Sequence, residues 1–306
     1  MGNYTNIVTL LSGGIINGAL NMGNNTGSTL ILAGSGSQSY SSTVNGTTTF
    51  NGSLLKQGSG NWTLNQNLNP SGGTVVSGGH LKVTAALAGA TTVNANAALG
   101  GNGTINGNVT VENLGTLYPG DPAVLTVNGN VALNTGAKAA FSIANTSTPN
   151  LPQKVTVGID YDQISIRDTS STGNLTIQSG ATLEILNLSF LQWNSVVYAP
   201  TGPNTDLTNY FVFSLQSGTT TGRFDLFSNG STSQAITYTG GIGEVTLDNT
   251  KVFISYTGNA ALNSTLGGQD IVLSAYAVPE PSTWVLILLG VGFVGLLQIR
   301  KHRIAK

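Results

Sequence analysis

The sequence contains no cysteine, and histidine is nearly absent. Among 306 residues there are two histidines, His80 and one in the C-terminal tail. Without cysteine, a disulfide framework, a thiolate metal site and a cysteine nucleophile are all excluded. A single histidine outside the tail cannot build a multi-histidine metal site, and no G-x-S-x-G motif accompanies it. His80 follows a Gly-Gly turn at a polar strand position, so we expect it on the solvated surface.

Charged side chains are also scarce. They make up 8% of the chain, and the first is Lys56. Soluble proteins are on average about 25% charged. Before Val278, seven basic and eleven acidic residues give a formal charge of −4. A basic patch is therefore not expected, and nucleic acid is not a predicted partner.

Short apolar segments separated by glycine-containing turns are abundant. They alternate apolar and polar residues, which predicts strands of about three to five residues, at 74–76, 81–83, 109–111, 125–127, 131–133, 175–177 and 182–185. One face of each strand is then dry and the other wet. Strands this short share a continuous core when they stack as the rungs of a coil. We therefore predict an all-β solenoid.

Three glycine-led segments follow one another between residues 55 and 83. They read K-x-G-x-G-x-W-x-L from Lys56, G-G-T from Gly72 and G-x-L-x-V from Gly79. This order resembles the passenger-associated repeat of autotransporters, over roughly residues 50–145. The resemblance implies a right-handed parallel β-helix.

Larger apolar side chains and longer predicted strands appear in the second half of the chain, for example at 210–215 and 252–256. Such a change suits an end cap, where the coil must be closed by different packing. We predict a solenoid over residues 1–145, a loop break over 146–158, and final rungs with a β-rich cap over 159–277. Residues 278–306 form a separate terminal segment.

An apolar run lies near the C-terminus, between a proline-rich turn and a basic end. As one helix over 284–299 it would be about 24 Å long, slightly short of a ~30 Å hydrocarbon core. A tryptophan at one edge and cations at the other can cover the deficit. The predicted anchor edges are Trp284, Ile299, Arg300, Lys301 and Arg303. The cations predict a cytoplasmic tail and a translocated remainder.

The turn before this run consists of Val278, Pro279, Glu280, Pro281 and Ser282. With the apolar run and the basic end, it resembles the PEP-CTERM sorting signal of bacterial exported proteins. The resemblance implies recognition by an exosortase, a membrane-embedded processing enzyme. It also implies transient insertion in the inner membrane, removal of the helix, and delivery to the cell surface or extracellular matrix.

The first twenty residues do not form a convincing signal peptide. They have no basic segment, and their apolar residues are interrupted by Ser12, Gly13 and Gly14 and again by Asn17 and Gly18. Since the tail requires translocation, we expect the natural start to lie upstream.

Asp160, Asp162 and Asp168 form the one carboxylate cluster in the sequence. In a strand, Asp160 and Asp162 would share a face about 6–7 Å apart. The cluster has three interpretations: a structural or solvated role, a weak calcium site, or acid–base work on a glycan.

These features favour an exported, non-enzymatic structural protein of the cell surface or extracellular matrix. We predict no catalytic residue, no metal and no cofactor. A G-x-G-x-x-G match at 290–295 lies inside the apolar run with no preceding strand, which argues against a dinucleotide site. The abundant hydroxyls and amides suit contact with extracellular polysaccharide, so a polysaccharide-binding adhesin is the alternative. A β-helix enzyme acting on polysaccharide is a further one.

Overall fold

The structure is a computed structural model that describes residues 5–13, 20–22, 25–40, 49–120, 122–144, 155–167, 173–187, 209–248, 250–264 and 266–277. Within these residues the chain forms 29 β-strands and one 3-10 helix, Ala260–Leu262, and no α-helix. The predicted all-β class is confirmed for this part of the chain. The predicted helix over 284–299 lies outside it.

The strands up to residue 142 are β1 Ile7–Leu10, β2 Thr29–Leu32, β3 Ser37–Tyr40, β4 Thr49–Phe50, β5 Ser53–Lys56, β6 Asn61–Leu64, β7 Asn69–Pro70, β8 Thr74–Val76, β9 Gly79–Val83, β10 Ala86–Ala88, β11 Thr91–Val93, β12 Ala97–Gly100, β13 Thr104–Asn106, β14 Val109–Val111, β15 Thr116–Tyr118, β16 Val124–Asn128, β17 Val131–Leu133 and β18 Lys138–Ser142. The later strands are β19 Gln163–Arg167, β20 Leu175–Ile177, β21 Thr182–Leu186, β22 Tyr210–Leu215, β23 Thr220–Gly222, β24 Leu226–Ser228, β25 Ser233–Ala235, β26 Thr237–Thr239, β27 Ile242–Leu247, β28 Thr250–Gly258 and β29 Asp270–Ala277.

Three nine-stranded sheets contain nearly all of these strands. The first runs β1-β2-β5-β8-β11-β14-β17-β20-β23, the second β3-β6-β9-β12-β15-β18-β21-β24-β25, and the third β10-β13-β16-β19-β22-β29-β28-β27-β26. From β8 to β24 the chain visits the three sheets in rotation, and strands of successive turns pair in parallel. The chain therefore winds as a coil with one strand per sheet in each turn.

The alternation of side chains explains why such short strands are stable. In β11 the first and third residues, Thr91 and Val93, are buried, while Thr92 between them is partly exposed. Inward residues of successive turns then stack on one another. Leu81, Leu99 and Leu117 are register partners on β9, β12 and β15, and all three are fully buried. The core is thus a continuous column that every turn shares.

A glycine and an asparagine shape one corner of the coil. The Oδ1 atom of Asn108 accepts the N–H of Asn130, and that of Asn130 accepts the N–H of Asn174, both at 2.9 Å. These partners lie 22 and 44 residues apart. Asparagines thus form a ladder even though the turns differ in length. Gly129 precedes Asn130, and a Cβ atom there would lie 2.7 Å from the carbonyl oxygen of the preceding turn's Gly107.

The last strands change direction. β29, β28, β27 and β26 extend the third sheet in antiparallel order beyond β22, and β25 pairs antiparallel with β24 in the second sheet. We call β25 to β29 the cap. It covers the end of the coil that lies toward the C-terminus.

Candidate functional site

The chain leaves the described fold at its capped end. β29 is the last described strand, and it lies in the third sheet between β22 and β28. Its final residue, Ala277, pairs with Thr250 at the start of β28. The segment that follows residue 277 therefore starts from the cap and not from the first turn of the coil.

Asp270 holds the start of β29 in place. Its buried carboxylate accepts the N–H of Leu215 and the N–H of Ala260, both at 2.7 Å. Burial raises the pKa of Asp270, while hydrogen bonds from Ala260, Leu215 and Ser214 act in the opposite direction. One side chain thus joins β22, which is the last parallel strand of the third sheet, to the 3-10 helix and to β29.

Two tyrosine hydroxyls close the last turn of the coil. Tyr238 donates to the carbonyl of Phe224 at 2.6 Å, and the N–H of Phe224 donates to the Tyr256 hydroxyl at 3.0 Å. The two hydroxyls lie 2.9 Å apart. Burial raises the pKa of both tyrosines, and that of Tyr256 lies well above its usual value of 10.0. Both phenols therefore stay protonated at neutral pH, and the backbone of Phe224 keeps its partners.

The predicted sorting residues come directly after this cap, outside the described residues. They are Val278, Pro279, Glu280, Pro281 and Ser282. The predicted anchor edges also lie outside, namely Trp284, Ile299, Arg300, Lys301 and Arg303. Within the part of the chain that the structure describes, no helix has the length and apolar character needed to cross a membrane. The helix over 284–299 stays a prediction.

Comparison with known proteins identifies this terminal segment. Residues 277–303 match the family model described as the PEP-CTERM protein-sorting motif. The motif indicates a protein that is exported or sorted to the cell surface in a membrane-associated step that involves an exosortase. The predicted sorting signal is therefore confirmed. No curated protein matches the chain, and the autotransporter-type repeat stays a prediction.

The carboxylate cluster is arranged differently from the prediction. Asp160 lies in a turn, where it accepts the N–H of Thr156 at 2.6 Å. Asp162 is fully buried and accepts the N–H of Ala123 and the N–H of Ser142, both at 2.6 Å. β19 begins only after Asp162, so the expectation that both aspartates share a strand face is wrong. The physical reason is that both carboxylates accept hydrogen bonds from backbone N–H groups, which fixes them in and beside the turn.

The third member of the cluster, Asp168, lies outside the described residues. Among the described residues, no group of three or more histidine, aspartate or glutamate side chains could hold a metal ion. Calcium or glycan binding by this cluster stays a prediction. The contacts of Asp160 and Asp162 show a structural use of their oxygens, because Asp160 accepts an N–H within its own turn and Asp162 accepts N–H groups of two other segments.

His80 is not on the solvated surface, as the sequence had suggested. It is half-buried in β9, and its Nε2 atom is buried without a hydrogen-bond partner among the described residues. Burial lowers the pKa of His80, and the charges of Lys82 and Lys56 lower it further. Its ring centroid lies 6.2 Å from that of Tyr118. The prediction fails because stacking the turns brings outward side chains of neighbouring strands against one another.

Lys56 has a buried structural role that the sequence analysis did not predict. Its side chain is fully buried, and its ammonium donates to the carbonyls of Gln57 and Gly58 at 3.1 Å and of Gly78 at 2.7 Å. Three N–H donors thus meet three acceptors. Burial lowers the pKa of Lys56. The available signal was the alternation of β5, which places Lys56 on the buried face of the strand. The register partners of Lys56 on the two neighbouring strands are buried apolar residues.

Proposed function

We propose that this protein is an exported, non-enzymatic structural component of the cell surface or extracellular matrix. The observation that carries the proposal is the sorting motif over residues 277–303, which begins at the last residue of β29. The cap closes the coil before the chain reaches this motif. A finished fold can therefore be separated from the sorting segment without losing a strand.

The use of polar side chains supports a structural role. Asp162 and Asp270 each accept two backbone N–H groups. The ladder through Asn108 and Asn130 joins successive turns in the same way. In these places, carboxylate and amide oxygens stabilise the connection of one turn to the next.

The coil is right-handed in this proposal. Each turn connects parallel strands of one sheet by a crossover, for example from β8 to β11. Such connections are right-handed in about 98% of cases. The resemblance to autotransporter passenger repeats points the same way.

The sorting step ends, we infer, with removal of residues 284–306 by an exosortase. A residue that precedes proline is disfavoured in the helical conformation. We therefore expect Pro279 and Pro281 to disfavour a helix at this turn, which would suit entry into a processing enzyme. The basic end holds the apolar run from the cytoplasmic side.

The intact mass of the released protein tests this proposal. We expect a mass that lacks residues 284–306, and a mass that still includes Lys306 would make the run a permanent anchor. Replacing Pro279, Glu280 and Pro281 with alanine should block release and leave the apolar run in the membrane. A matched control replaces three exposed residues between β24 and the first residue of β25, Ser231, Thr232 and Ser233, with alanine, and this variant should be released normally.

A polysaccharide-binding adhesin is the second candidate, and one surface favours it. Outward positions of the first sheet are aligned in register at Thr92, Thr110, Ala132, Thr176 and Thr221. Neighbouring positions of this row lie at the inter-strand distance of about 4.8 Å, and each position except Ala132 carries a hydroxyl. If this surface binds matrix polysaccharide, Thr110→Glu should weaken binding, whereas Thr126→Glu on the third sheet should not. The enzyme alternative has no comparable observation in its favour.

A further inference from the structure

The corner between the first and second sheets shortens at one place in the coil. Its limits are marked by two rows of register partners: Leu32, Lys56 and Val76 in the first sheet, and Ser37, Asn61 and His80 in the second. Between these limits the three successive corners contain four residues at 33–36, four at 57–60 and three at 77–79. The third corner is therefore one residue shorter than the two before it.

The two corners of equal length satisfy each other's backbone groups. The carbonyl of Gly34 accepts the N–H of Gly60 at 3.0 Å. The carbonyl of Gly36 accepts the N–H of Asn61 at 2.7 Å. Buried backbone groups need such partners. A corner of constant length therefore continues the hydrogen-bond ladder from one turn to the next.

The shorter corner interrupts this ladder. The N–H of Ser77 still donates to the carbonyl of Lys56 at 2.8 Å, at the first limit of the two corners. Beyond this bond, the carbonyls of Gln57, Gly58 and Gly78 accept no backbone N–H within the described part of the chain. The loss of one corner residue thus leaves three carbonyl oxygens that need another donor.

The ammonium of Lys56 is that donor. Its Nζ atom lies 3.1 Å from the carbonyl oxygens of Gln57 and Gly58 and 2.7 Å from that of Gly78. The side chain is fully buried, and a buried charge is costly unless it is paired or hydrogen-bonded. Lys56 forms no ion pair with another described residue. The carbonyl dipoles therefore stabilise this charge, as they do around a bound cation.

Glycines, and not Lys56, determine the shape of this corner. Gly58 and Gly79 have φ angles of 76° and 61°, a region that favours glycine. A Cβ atom on Gly79 would lie 2.8 Å from the Nζ atom, so the lack of a side chain there makes room for the ammonium. The backbone of the two corners thus forms the site, and the lysine occupies it.

We propose that this corner is a binding site for a small cation of the ammonium type, which the chain fills with its own Lys56 side chain. When the Lys56 ammonium is removed, a free ammonium ion can take its place, because the ion has the same charge and the same kind of N–H donors. Water is a weaker substitute, since it carries no charge and its hydrogen bonds to the carbonyls are not charge-assisted.

The test is urea unfolding of the full-length chain in detergent, followed by circular dichroism, in ammonium chloride or in tetramethylammonium chloride. Lys56→Met keeps an unbranched apolar stem and leaves the position of Nζ vacant. Its urea midpoint should lie below that of wild type in tetramethylammonium chloride, which has no N–H donor, and should rise with the ammonium concentration. Wild type and Lys82→Met, which replaces an exposed lysine of β9, should show only the general difference between the two salts.

Lys56→Gln separates charge from hydrogen bonding, because its neutral amide still donates. This variant should be less stable than wild type. The proposal is wrong if Lys56→Gln matches wild type, or if Lys56→Met gains no more from ammonium than Lys82→Met does. Where Lys56→Met is unfolded without urea, recovery of the wild-type spectrum in ammonium chloride supports the site, and failure to recover contradicts it.

Discussion

The strands of the coil and those of the cap differ in length and in the direction of their pairing. In the coil, strands of mostly three to five residues pair in parallel, and small residues and asparagines repeat at the corners. In the cap, β27, β28 and β29 are six, nine and eight residues long and pair antiparallel. In this chain, a repeated parallel contact extends the coil, and three longer antiparallel strands follow where it ends.

Aromatic packing accompanies the change from coil to cap. Phe213 is fully buried in β22, the last parallel strand of the third sheet. It forms an edge-to-face contact with Phe141, with ring centroids 5.2 Å apart, and its centroid lies 6.1 Å from that of Phe224. These rings fill the space between the last turn and the strands that close it.

The largest predicted effect follows from removing that ring. Phe213→Ala should lower the free energy of unfolding by about 3–5 kcal/mol, because a large cavity remains beneath the cap. Urea unfolding followed by circular dichroism measures the change. In the coil, Ile105→Val removes one methyl group from a fully buried residue, and it should cost only about 0.5–1.5 kcal/mol. Equal losses for the two variants would contradict the importance assigned to the aromatic packing beneath the cap.

Asp162 joins two segments of the coil where the turns become longer, so its replacement tests how strongly these segments are held together. Asp162→Ala leaves the buried N–H of Ser142 without its acceptor, at about 1–3 kcal/mol, and the part-buried N–H of Ala123 also loses its acceptor, at a smaller cost. Asp162→Asn keeps one acceptor oxygen and should cost less. Thermal unfolding of both variants measures the order. If Asp162→Ala is as stable as wild type, the carboxylate does not hold these segments together.

Strand positions were predictable because they depend on local alternation. The predicted strands 74–76, 109–111, 131–133 and 175–177 coincide with β8, β14, β17 and β20. The sorting motif was predictable for a similar reason, since its residues are contiguous. Both features are properties of short windows of sequence.

The roles of Lys56 and Asp162 were not predictable from such windows. Lys56 donates to a carbonyl 22 residues away, and Asp162 accepts from an N–H 39 residues away. These contacts depend on how many residues each turn contains. The turn lengths vary, so the register of one turn on the next cannot be read from alternation alone.

A smaller effect of opposite sign is expected inside the coil. Thr74 and Thr91 are register partners on β8 and β11, and both hydroxyls are buried without a hydrogen-bond partner among the described residues. Valine has nearly the same shape and avoids the desolvation of the hydroxyl. Thr74→Val and Thr91→Val should each stabilise the protein by about 1 kcal/mol. Thr92→Val, at the outward position between them, should change stability by less than about 0.5 kcal/mol. Destabilisation by the inward variants would show that their hydroxyls have partners.

The smallest predicted effect concerns the pH dependence of the coil near His80. Burial, followed by Lys82 and Lys56, lowers its pKa below the usual 6.5. Below pH 6.5 the unfolded chain therefore binds a proton more readily than the folded chain, and stability falls as the pH drops. The raised pKa of Asp270 acts in the opposite direction at more acidic pH. Comparing each variant with wild type at the same pH values isolates the histidine.

The urea midpoint at pH 7.5 and at pH 5.5 measures this contribution. Wild-type protein should lose stability between the two values, and His80→Gln should lose less because its side chain does not titrate. His302→Gln is the matched control, since the chain has two histidines and the second lies beyond the cap in the terminal segment. That variant should retain the full wild-type difference. If His80→Gln keeps the wild-type difference and His302→Gln abolishes it, the pH dependence belongs to the tail and the stacked turns around His80 do not disfavour its charged form.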